Sequence, residues 1–166
     1  GAEPPGCSAI AVAASAMSGT ERSVGQSAMC SVRKAVVVSP ATNKRIVHDG
    51  VEAVVAEPCF PIQVAHGHVE ALLDESDLDS ILIPNVIDSE TDIPETNSYL
   101  CPWGQTLPFV VRSMPTLRGR EELIAAPTIH FREGEKYVEK ELRPFAARYG
   151  IGARYHRKAV KAAYEA

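Results

Sequence analysis

The chain predicts an α/β fold: a Rossmann-like, three-layer domain on a mainly parallel sheet. Three observations lead there. Short β-branched runs such as Ala35-Val36-Val37-Val38 recur along the sequence. Between them lie stretches of about ten to fifteen residues whose apolar side chains follow helical spacing. Pro, Gly, Asn and Asp punctuate the joins. Strands that alternate with helices imply right-handed βαβ units, and such units make their strands parallel neighbours.

The elements follow in order. Residues 1–33 are rich in Ala, Ser and Gly, and Ile10, Val12, Met17, Val24 and Met29 are too sparse for an amphipathic face. They read as a separate N-terminal segment of unclear role, a weak helix or two, ahead of an α/β domain over 34–166. Residues 35–38 form a buried strand stopped by Ser39-Pro40. Thr42 or Asn43 caps a short helix, with Gly50 as its stop signal. Residues 51–56 read as a second strand running into Glu57-Pro58-Cys59. A helix starting at Pro61 carries the stripe Ile62, Val64, Ala65, Val69, Leu72 and Leu73, and acidic residues from Asp74 to Asp79 end it.

Residues 80–83 are a third strand, stopped by Pro84. An acidic loop follows over 85–98, long enough to suggest a functional segment. Residues 105–114 are helical, with Pro108 tolerated near the first turn. Residues 123–126 and 128–131 read as strand, interrupted at Pro127. A helix over 137–149 turns Val138, Leu142, Phe145 and Ala146 inward and closes at Gly150, and Pro144 predicts a kink or two shorter helices. A last helix begins near His156 and is still amphipathic at the end of the sequence, which reads as a fragment of a larger protein.

Composition narrows the function classes. With 45% hydrophobic and 23% charged residues the chain belongs among globular proteins. A net charge of −4 argues against general nucleic-acid binding, which needs a basic face. The charge is segregated: twelve Asp and Glu but no Lys or Arg lie between Arg45 and Arg112, and twelve Lys and Arg face seven Glu from Arg112 onward. This reads as an acidic solvated face beside a basic one, or as a basic tail for an acidic or phosphate-bearing partner. No run of about 18 apolar residues predicts a membrane span. Residues 7–17 have the texture of a signal-peptide core but no basic region precedes them. Cys7, Cys30, Cys59 and Cys101 are too few and too dispersed for a disulfide scaffold, so a reducing cytoplasm is the expected home.

Cys59 and Cys101 carry the chemistry. Each lies beside proline, in Glu57-Pro58-Cys59-Phe60-Pro61 and Leu100-Cys101-Pro102-Trp103, at the expected C-terminal ends of strands. Chemistry in open α/β sheets gathers there. A cysteine at a helix N-terminus feels the positive end of the dipole, which favours thiolate, the metal-binding and nucleophilic form. The competing reading is a small buried apolar residue. His66 and His68, in Ala65-His66-Gly67-His68, are weaker candidates, because residues two apart do not share a helix face. Gly67 between them points to close approach of another backbone. His130 reads as a core or edge residue. A thiol or zinc enzyme using Cys59 with either histidine as base is a further option. No GxGxxG, Walker A or GxSxG sequence is present, so neither a nucleotide site nor an independent catalytic motif is visible.

The segments Ser39-Pro40-Ala41-Thr42-Asn43-Lys44, Glu57-Pro58-Cys59-Phe60-Pro61 and Ala65-His66-Gly67-His68 resemble the acyl-CoA dehydratase activase-related family, also called CoA-substrate-specific enzyme activases. Ile83-Pro84, Cys101-Pro102, Gln105-Thr106-Leu107-Pro108 and Val111-Arg112 extend the likeness over about residues 34–166. The resemblance implies a module similar to 2-hydroxyglutaryl-CoA dehydratase subunits, whose cysteines hold a 4Fe–4S cluster. It further implies an electron-transfer role with Cys59 and Cys101 as ligands, a third cysteine supplied from elsewhere, and ATPase activator modules and dehydratase subunits as partners. The alternative is a non-catalytic interaction or scaffold domain with both cysteines buried.

Overall fold

Residues 9–12, 35–75, 78–93 and 95–165 are described in a computed structural model. Among them are the strands β1 (Ala9–Val12), β2 (Ala35–Val38), β3 (Leu78–Leu82), β4 (Asn85–Asp88), β5 (Ile124–Ala125) and β6 (Thr128–His130). The helices are α1 (Lys44–Ala53), α2 (Phe60–Leu73), α3 (Pro102–Val111), α4 (Glu135–Arg148) and α5 (Ala153–Tyr164). The chain divides into two compact units, Gly1–Leu82 with Val110–Ala125 and Ile83–Phe109 with Ala126–Ala166.

In the first unit four strands pair in the order β2-β1-β3-β5, every pair parallel. Ile10 faces Val36 on one side and Ser80 on the other, and Ile81 faces Ile124. The core of this unit is deeply buried: Leu72, Ile81, Val111, Met114, Leu117 and Ile124 are at most 1% exposed. Each such side chain contributes roughly 1.5–3 kcal/mol. Of the two expected caps, Thr42 and Asn43, it is Asn43 that caps α1, its side chain accepting from the Arg45 and Ile46 amides. α2 is buried on most of its circumference and packs along α1.

The second unit holds β4 and β6, parallel, with Asn85 facing Thr128 and Asp88 facing His130. Among the described residues its buried apolar set is short: Ile83, Pro108, Ile129, Val138, Ala146 and Val160. Polar links supplement it. Asp88 accepts from the Arg132 amide at 2.9 Å, and His156 bonds the Glu139 carbonyl at 2.7 Å. Glu141 accepts from both the backbone and the ring of His130, at 2.8 and 2.6 Å.

The α/β class and parallel pairing agree with the sequence reading. A three-layer Rossmann-like arrangement is not shown, since the parallel pairing is divided between a four-stranded and a two-stranded sheet. Several element expectations need correction. Gly50 does not stop α1, which continues to Ala53, so the strand expected over 51–56 is absent. Gly50 sits mid-helix because a Cβ there would collide with the Gln63 carbonyl oxygen, and one on Gly67 would collide with that of Ile46. Two helix backbones meet at the pair, and the close approach read from Gly67 is present.

β1 lies inside the segment read as weak helix. Its four residues show no helical or alternating pattern, and pairing on both edges selects the strand. The rest of 1–33 lies outside the described residues. The loop expected over 85–98 begins with β4, whose residues find a partner in β6. α3 starts at Pro102, which places Pro108 in its second turn rather than its first. α4 passes Pro144 unbroken; the carbonyl that proline leaves without a donor belongs to Lys140, an exposed residue, where water can take over.

Candidate functional site

Cys59 is the N-cap of α2. Its carbonyl accepts from the Ile62 and Gln63 amides at 2.9 and 3.2 Å, and Pro61 occupies the first turn, where a missing N–H costs nothing. Its thiol is exposed and makes no capping hydrogen bond. The segment before it is not a strand, as expected from sequence, but the end of α1 and a short connection. Cys101 opens α3 in the second unit. Its carbonyl accepts from the Gln105 amide at 3.1 Å, and its exposed Sγ accepts from the Gly104 N–H at 3.3 Å. It follows β4 through the acidic loop, whose ends are tied by Ser89 N–H to Ser98 O and by Leu100 N–H to Ile87 O. The expectation of two buried structural cysteines is therefore corrected: proline beside each N-cap turns the chain outward, and both sulfurs meet solvent.

The histidines lie elsewhere in the packing. His66 is 1% exposed and donates from Nδ1 to the Ile62 carbonyl at 2.7 Å. His68 is 3% exposed, with Nδ1 3.0 Å from Ser39 Oγ and Nε2 2.9 Å from Thr42 Oγ1. They occupy different helix faces, as expected, yet both point inward because α2 is covered on both faces. Burial holds both imidazoles below their ordinary protonation range. His68 thereby ties the loop after β2 to α2. His130 is the partly exposed end of β6, held by Glu141 and edge-on to Tyr137 with ring centres 6.0 Å apart.

Cys59 belongs to the first unit and Cys101 to the second. Among the described residues no three or more His, Cys, Asp or Glu are grouped so as to hold a metal ion. A cavity of about 310 Å3 in the first unit is lined by Arg45, Asp49, Glu52, Glu70, Asp74 and Thr116, away from the residues singled out by sequence. Arg45 bridges Asp49 and Asp74 across it, at 3.3 and 2.7 Å. Sequence reasoning also missed Gln63 and Gln105, whose side chains donate to the carbonyls just before the two cysteines, Pro58 O and Leu100 O. The available signal was a glutamine four residues after each cysteine. Among the described residues no helix is long and apolar enough to cross a membrane.

A family model described as the CoA enzyme activase uncharacterised domain matches residues 29–166. No curated protein and no solved structure matches the chain.

Proposed function

The chain belongs to the CoA enzyme activase domain family, and we propose that it serves there as a non-catalytic module presenting Cys59 and Cys101 as ligands for an iron–sulfur cluster. Such a cluster would carry electrons in 2-hydroxyacyl-CoA dehydratase-type systems, with ATPase activator modules and dehydratase subunits as partners. The observation that carries this reading is the shared placement of the two thiols: both exposed, both opening an α-helix, both beside a first-turn proline. Iron takes cysteine through its sulfur, and an exposed sulfur is open to it. The parallel order β2-β1-β3-β5 supports a doubly wound, Rossmann-like reading of the first unit.

The described residues do not complete a cluster by themselves. Two thiolates leave ligands wanting, and no further His, Cys, Asp or Glu forms a metal-holding group with either sulfur. The remaining ligands must come from outside the described residues. The test is the iron and acid-labile sulfide retained by the chain itself, re-isolated after strictly anaerobic reconstitution alongside dehydratase subunits, for the unaltered chain and for Cys59→Ser/Cys101→Ser. Iron and sulfide that depend on both cysteines support the reading. Iron that survives both substitutions, or none in either protein, overturns it.

A second reading, an interaction domain without a cluster, is favoured by aromatic side chains near Cys101. Tyr99 is 63% exposed and Trp103 42% exposed. Cluster-free protein that still binds dehydratase subunits, and loses that binding in Tyr99→Ala/Trp103→Ala, would select it.

A further inference from the structure

Four residues after each cysteine, a glutamine reaches back over the start of the helix. Gln63 Nε2 donates to Pro58 O at 3.1 Å, and Gln105 Nε2 donates to Leu100 O at 2.7 Å. The acceptor in both cases is the carbonyl immediately before the cysteine. The backbone amide of the same glutamine bonds the cysteine's own carbonyl, at 3.2 and 3.1 Å. Both glutamines are half-buried, while both sulfurs are exposed. Pro58-Cys59-Phe60-Pro61-Ile62-Gln63 and Leu100-Cys101-Pro102-Trp103-Gly104-Gln105 share little beyond the cysteine, the glutamine and a first-turn proline. The same geometry thus arises twice, on different side chains and in separate units.

A carbonyl just ahead of an N-cap lies outside the helical ladder and needs a partner from elsewhere. When the glutamine amide supplies it, the entering chain is pinned against the first turn, and the cysteine backbone is held on both sides. The sulfur then stays at the positive end of the helix instead of fraying away from it. At Cys101 the Gly104 N–H adds a direct bond to the sulfur.

We infer that Gln63 and Gln105 are positioning residues of two matched thiol-presenting caps, each of the form Cys-x-x-x-Gln, that hold an exposed sulfur ready for a thiophilic metal centre. The inference deepens the proposed role of Cys59 and Cys101 and rests on it for the identity of the ligand.

The test uses the full chain without metal. Gln63→Met and Gln105→Met keep side-chain length and remove the donor. Iodoacetamide alkylation is followed at each cysteine by mass spectrometry, with the thermal midpoint recorded alongside. Gln63→Met slows alkylation of Cys59 and leaves Cys101 unchanged; Gln105→Met does the reverse. The expected slowing is roughly three- to tenfold, the equivalent of one net hydrogen bond. Unchanged rates with a lower thermal midpoint would mean that the glutamines only brace the helices, and would overturn the inference. So would faster alkylation, or an equal change at both cysteines from either substitution. Iodoacetamide needs no iron, so a chain that never holds a cluster would sink the ligand reading while leaving these rates to decide the caps.

Discussion

The first unit is held by close apolar packing and the second by polar links, and the contrast predicts where each is fragile. In the first, α1 and α2 meet so closely that only hydrogen fits at Gly50 and Gly67. Around that contact the core is aliphatic, with Leu72, Ile81 and Leu117 fully buried. In the second, fewer apolar side chains are buried, and single carboxylates make a larger share of the links between elements. Glu141 ties α4 to β6 through two bonds, and Glu139 receives Arg143 at 2.9 Å and faces Arg157 at 3.8 Å. The Arg143 hydrogen bond holds the Glu139 carboxyl below its ordinary range. Apolar contact tolerates no added volume, whereas a polar link fails by losing one partner.

The largest effect is expected at the helix contact. Gly67→Ala or Gly50→Ala must move a backbone, since the obstructing atoms are carbonyl oxygens, and should destabilise the first unit by roughly 3 kcal/mol. Circular dichroism during urea titration measures it. Trp103, the single tryptophan, lies in the second unit, so its fluorescence should follow a separate course if the units respond independently. A loss under about 0.5 kcal/mol would break the claim that backbone proximity governs this unit.

Next comes the polar link. Glu141→Ala leaves the His130 amide and ring without their acceptor and should cost about 1–3 kcal/mol. Trp103 fluorescence during urea titration reads it out. An unchanged midpoint would show that water replaces the carboxylate without loss.

The third test separates the units by pH. His66 and His68 are buried with depressed protonation, so the folded chain binds protons less readily than the unfolded one. Their contribution is complete above the unfolded value of 6.5 and is lost as pH falls below it toward the folded values. The first unit's urea midpoint should therefore drop between pH 7.5 and 5, and His66→Leu should flatten the slope. A midpoint rising over that interval would contradict the burial of neutral imidazole.

The smallest effect compares the cysteines. Cys101→Ala removes the sulfur that accepts from Gly104 and should cost about 0.5–1 kcal/mol, while Cys101→Ser should retain most of the cap. Cys59 makes no such bond, so Cys59→Ala should fall within about 0.5 kcal/mol of the unaltered chain. Chemical denaturation of the three variants checks the order, and equal losses at the two cysteines would remove the distinction between them.

Local chemistry was legible wherever one residue settles its own surroundings. Asn43 announces a helix start because its short side chain reaches the amides ahead of it. Pro61 places Cys59 at a helix opening, because proline suits a first turn and little else in a helix; Pro102 carries the same signal at Cys101, but the expected start at Gln105 overlooked it. The family resemblance also rested on such short, punctuated segments, and the matched family covers residues 29–166. Gly50 misled because a glycine that stops a helix and one that admits a neighbouring helix are the same letter. Only the crossing of α1 over α2 distinguishes them.

By itself the sequence determined the α/β class, the capping of α1, the helical opening at Cys59, and the charge segregation, all properties set within a few residues. Tertiary structure alone decided that residues 9–12 are a strand, that Gly50 continues a helix, that both histidines are buried, and that each cysteine is backed by a glutamine. The reason is one of range. A cap or a proline acts on its neighbours, whereas strand pairing, helix contact and burial depend on partners distant in the chain, whose arrival no local pattern records.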